Sequence, residues 1–110
     1  MRRRHPPGRD EVSAVRVLLK AIMNTEKTNE IIRNGTMQKS MQAALEALHP
    51  EAAYFTAEEG CRTAFIFFDL ADPSQIPKIA EPFFLDMGAK VSFAPVMNGE
   101  DLEKGLAALG

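Results

Sequence analysis

The stretch Arg62-Thr63-Ala64-Phe65-Ile66-Phe67-Phe68-Asp69-Leu70 decides the fold. In an extended strand successive side chains point to opposite faces, so Phe65 and Phe67 share one side while Ala64, Ile66, Phe68 and Leu70 share the other. Both sides are apolar. A strand of this kind is stable only where both faces are covered, which places it at the centre of a sheet. Just upstream, Ala52 to Thr56 reads as a second strand. The intervening Ala57, Glu58, Glu59, Gly60 and Cys61 form a connection of hairpin length with a glycine for the turn. Downstream, Asp72 followed by Pro73 is a helix start, an N-cap before the one helical position where proline lacks nothing. Ile76, Ile79, Ala80, Phe83 and Met87 continue with helical spacing, Pro82 predicts a kink, and Gly88 is placed to end the helix.

Outward from this centre, Ala14 to Met23 predicts a first strand. Val15, Val17, Leu19 and Ala21 alternate there with Arg16, Leu18, Lys20 and Ile22, so one face is aliphatic and the other carries two cations. Asn24 and Thr25 cap a helical region that runs to Leu48, with Met37, Met41, Ala44, Leu45 and Leu48 as its inner stripe. Asn34 and Gly35 interrupt it, and Pro50 closes it. Lys90 to Met97 is the last strand, and Pro95 assigns it to a sheet edge because proline removes a ladder donor. An amphipathic helix from Glu100 to Leu109 presents Leu102, Leu106 and Leu109 on one side. The methionines at 23, 37, 41, 87 and 97 read as core fillers.

The chain has 110 residues, 45% hydrophobic and 25% charged, the profile of one folded domain. Residues 1–11, with Arg2, Arg3, Arg4 and Arg9 among prolines and a glycine, read as a disordered basic tail, and residues 12–110 as a single domain. A net charge of −2 disfavours nucleic acid and anionic membranes as partners. Cys61 is the only cysteine, which excludes an internal disulfide and favours a cytoplasmic location. No secretion signal follows the arginine run. The apolar run Ala64 to Phe68 is far too short to cross a bilayer.

The element order is strand, helix, strand, strand, helix, strand, then a small extra helix. This is the α+β, ferredoxin-like βαββαβ arrangement: a four-stranded antiparallel sheet, first and third strands central, helices on one face. The other face is left open. Four strands about 4.8 Å apart and about 20 Å long give a plane of about 380 Å², a size of apolar patch that monomers seldom leave uncovered without using it. A second copy placed face to face resolves this, so a homodimer is expected. RNA-recognition domains share the strand order, but Cys61, Arg62 and Thr63 stand where their cation, glycine and first stacking aromatic belong.

The element order and the aromatic central strand resemble the dimeric α/β-barrel superfamily, which includes antibiotic-biosynthesis monooxygenases, muconolactone isomerases and stress-responsive barrel proteins. The resemblance covers residues 12–98. The segments Asp72 to Phe84 and Pro95 to Leu102 are similar to small uncharacterised bacterial proteins of this kind. It implies a barrel shared by two subunits with a cavity between their sheets, and opens cofactor-independent oxygenase or isomerase chemistry. The superfamily's monooxygenases use Asn, Trp and His around that cavity; this chain has no Trp, so their catalytic residues do not carry over.

Site candidates follow from the open face. Arg16 and Lys20 share it, about 13 Å apart with Leu18 between them. With Phe65 and Phe67 as aromatic walls and Tyr54 as a hydroxyl, they would suit an anionic or aromatic ligand, and Lys20 is the candidate general base. The plainer alternatives are that both cations snorkel or pair with carboxylates, and that Tyr54 caps an edge strand. His5 lies in the tail, and His49 at a helix C-terminus serves the macrodipole. Asp69 and Asp72 read as a strand end and a helix cap rather than a cation site. Cys61 lacks an activating neighbour. The Arg33-Asn34-Gly35 break is a solvated kink or a gate. No metal or cofactor is expected, since no clustered His and Cys and no GxSxG, Walker A or GxGxxG pattern is present. Two function classes remain: a small-molecule-binding dimer, and a non-enzymatic interaction or sensing module.

Overall fold

The computed structural model describes residues 14–110; the basic tail and His5 lie outside the described residues. Its elements are β1 (Val15–Ile22), α1 (Thr25–Arg33), α2 (Thr36–Leu48), β2 (Ala52–Glu58), β3 (Cys61–Leu70), α3 (Ile76–Met87), β4 (Lys90–Pro95) and α4 (Gly99–Ala107), with a 3₁₀ turn at Pro73–Gln75. The four strands lie in the order β2-β3-β1-β4, all neighbours antiparallel. The protein is therefore α+β and ferredoxin-like, with β1 and β3 central.

Alternation decides which side chains form the core. Val17, Leu19 and Ala21 of β1 and Ala64, Ile66, Phe68 and Leu70 of β3 are buried beneath the helices, together with Phe83 and Met87 of α3. Phe68 meets Phe93 of β4 edge-on, with ring centroids 6.5 Å apart. The half-buried stripe of α2, Met37, Met41, Ala44, Leu45 and Leu48, packs against this cluster.

Local chemistry sets the boundaries. The Asn24 side chain accepts from the Lys27 backbone N–H and starts α1. Gly35, at φ 80°, makes the expected elbow between α1 and α2. Asp72 accepts from the Ser74 N–H as expected, but the helix it begins opens with a 3₁₀ turn. Pro95 stands in the edge strand β4, opposite Val17. Two expectations need correction. The β2–β3 connection is a two-residue turn, Glu59 and Gly60, both with positive φ, because Glu58 pairs with Cys61 and the ladder continues almost to the tip. Met97 is 67% exposed and fills no core, since the chain has left the sheet at Pro95.

Candidate functional site

The helix-free face of the sheet brings together the side chains singled out from the sequence. Cross-strand register puts Ser92, Lys20, Phe65 and Tyr54 in one row, and Ala94, Leu18, Phe67 and Ala52 in the next. Leu18, Ile22, Phe65 and Phe67 are half-buried, and Tyr54, on the edge strand, is 62% exposed. The Tyr54 and Phe67 rings meet edge-on at 6.4 Å between centroids. This leaves an apolar centre with polar margins. Among the described residues no helix is packed across it: every residue of α4 is exposed, so the last helix does not hide the face.

Register also places Lys90 on this face, beside Ile22, and the two cations singled out from the sequence are held in ion pairs. The Lys20 Nζ lies 2.8 Å from Glu58 Oε2 and 5.4 Å from the centroid of the Phe65 ring, held by a carboxylate and an aromatic face together. Arg16 donates through Nε to Glu51 Oε1 at 2.6 Å and through Nη1 to Asp101 Oδ2 at 3.2 Å. The hydrogen bond that Arg16 donates to Glu51, then the Glu51 charge, raises the Arg16 pKa above its ordinary value, with smaller contributions from Asp101 and Asp69. Arg16, Asp69, Val96 and Asp101 also line an open depression of about 610 Å³ at this margin. With Lys90, three cations thus stand with four carboxylates around the sheet, Glu51, Glu58, Asp69 and Asp101. Arg16 and Lys20 are already satisfied by carboxylates, which leaves the aromatic centre as the feature that selects.

The helical side carries a larger open groove of about 960 Å³, where Met37, Met41 and Leu45 of α2 stand away from Phe55 of β2. Phe55 is 53% exposed because α2 does not reach over the edge strand. Beside the groove lies a polar cluster that sequence reading missed. Arg62 donates to Thr28 Oγ1 at 2.7 Å, to Asn29 Oδ1 at 2.9 Å and to the Thr25 carbonyl at 3.3 Å. Thr28 is fully buried, and its hydroxyl donates to the Asn24 carbonyl. The pattern Thr28-x-x-Ile31 within an amphipathic helix was the available signal. His49 ends α2 in a left-handed conformation, φ 47°, and Cys61 is a free, half-buried thiol at the hairpin. Among the described residues no group of three or more His, Cys, Asp or Glu converges as a metal site would require, and no helix is long and apolar enough to cross a membrane. Comparison with known proteins found no matching family model, curated protein or solved structure.

Proposed function

We propose that the protein acts as a homodimer of the dimeric α/β-barrel kind, its two open sheet faces opposed, and that the space between them binds a small, uncharged aromatic molecule. The observation that carries this reading is the face itself: Leu18, Ile22, Tyr54, Phe65 and Phe67 lie side by side on it, and among the described residues no other element is packed over them. Apolar surface of this extent gains free energy by leaving water, and a two-fold copy is the partner always available at the protein's own concentration. The ion pairs Arg16–Glu51 and Lys20–Glu58 favour an uncharged occupant over an anionic one, because binding an anion would require breaking them. The edge-on ring pair of Tyr54 and Phe67 offers ring faces and edges for a flat ligand. The reading is one of binding.

Light scattering coupled to size exclusion, with titration of the neutral dye Nile red, tests it. A dimer at micromolar concentration with saturable dye binding, both lost in Leu18→Glu, is the expected result. A monomer overturns it, and so does a dimer that Leu18→Glu leaves intact. A non-enzymatic module would give the dimer with no dye uptake, its sheet-to-sheet space filled by side chains.

A further inference from the structure

Helix α4 is nine residues long and opens on a capping box, yet all of its residues are exposed and no other described element packs over it. Asn98 accepts from the Asp101 N–H at 2.8 Å while the Asp101 carboxylate accepts from the Asn98 N–H at 3.1 Å, a complete capping box. Asp101 also accepts from Arg16, which ties the start of the helix to the margin of the open sheet face. Leu102, Leu106 and Leu109 are 45%, 56% and 82% exposed. Leu102 and Leu106 stack four residues apart, about 100° or more around the axis from Asp101, so the apolar edge is turned away from the anchoring ion pair. An isolated helix of this length is marginal in water, because nucleation costs more than its few hydrogen bonds return, and Gly105 lowers its propensity further. Among the described residues nothing meets those leucines.

We infer that a second copy meets them, and that α4 is a clasp that closes the homodimer by packing its leucine edge on the opposite subunit. The inference rests on the sheet-to-sheet dimer proposed above. Area supports the assignment: the sheet plane of about 380 Å² is about half of the roughly 800 Å² that a standard interface takes from each partner. An exposed leucine edge on a helix tied to that margin through Arg16 and Asp101 supplies more. Charge argues against the other surface an amphipathic helix can meet. Glu100, Asp101 and Glu103 against Lys104 make α4 acidic, where helices that lie on anionic bilayers are rich in Lys and Arg on their polar face.

The test compares the full chain with Leu102→Glu/Leu106→Glu and with Leu18→Glu. Light scattering over a dilution series reads the assembly, circular dichroism checks the fold, and co-sedimentation with phosphatidylglycerol vesicles reads membrane binding. Both altered leucines of α4 are exposed, so native dichroism is expected. The clasp predicts a wild-type dimer whose dissociation constant rises at least tenfold in the α4 variant. An unchanged constant there, with dissociation in Leu18→Glu, overturns the clasp and leaves the sheet-face dimer standing. Dissociation in the α4 variant with Leu18→Glu still dimeric overturns the sheet-face reading, and with it the clasp as a closure of that dimer. A monomeric wild type overturns both, as does a wild type that sediments with vesicles and forms no dimer.

Discussion

Lys20 and Glu58 come from strands that are not neighbours and meet across β3 at 2.8 Å, with the ammonium above the ring of Phe65. Their side chains keep 31% and 36% of their exposure, so solvent screens the pair. A double-mutant cycle of Lys20→Ala and Glu58→Ala, read by urea unfolding at conditions where the protein is monomeric, should give a coupling of about 0.2–1 kcal/mol that shrinks with added salt. A coupling several times larger would mean that the pair is far less solvated than its exposure indicates.

The Thr28 hydroxyl joins α1 to β3 by accepting from Arg62 while donating to the Asn24 carbonyl. Thr28→Val keeps the shape and deletes both bonds, leaving a guanidinium donor short of one partner. Unfolding free energy should fall by about 1–3 kcal/mol. A stability unchanged from wild type would place the cluster among surface contacts.

Gly88 ends α3 in the left-handed region at φ 55°, and a Cβ there would lie 3.1 Å from the Asn24 Cβ and 3.3 Å from the Lys27 Cδ. Gly88→Ala should cost about 1–2 kcal/mol from backbone conformation alone, with more from displacing the Asn24 side chain that caps α1. Thermal unfolding measures it.

Asp72 titrates against folding. The Ser74 backbone N–H, then the Ser74 side chain, hold its carboxyl below the ordinary value. A carboxyl depressed in the folded state stabilises above its unfolded pKa, near 3.9, and that contribution is lost as pH falls through the folded value. Wild type should therefore exceed Asp72→Asn in stability at neutral pH, and the difference should close as acid is added below about pH 4. A difference independent of pH would show that the cap acts without its charge.

Period-two alternation made the sheet legible, because Ala64 to Leu70 and Val15 to Ile22 each sort their side chains by face without reference to the rest of the chain. Capping chemistry did the same for Asn24, Gly35, Asp72 and Gly88. The long-range pairings were less accessible. Arg16 and Lys20 share a face by spacing, but their partners Glu51, Glu58 and Asp101 come from three other segments and follow from register and from the path after Pro95. The turn was misjudged because Ala57 to Cys61 has hairpin-loop composition, whereas pairing extends through Glu58 and Cys61 and leaves only Glu59 and Gly60 to reverse the chain. Thr28 and Arg62 escaped notice because polar residues on an inner face declare themselves only once both elements are in place.

The outer side of β2 has its own consequence. It is an edge strand whose far backbone groups pair with no other strand among the described residues, and it presents Tyr54 on one face and Phe55 on the other. Ala52 to Ala57 holds no charge and no proline, the composition that stacks into fibrils when such a rim is left bare. Pro50 and Glu51 stand before it and Glu58 and Glu59 after it, so each further strand added in register would bring like carboxylates together at both ends. Those flanking residues act as gatekeepers, and neutralising them would make this protein's shelf life, rather than its fold, the first thing to fail.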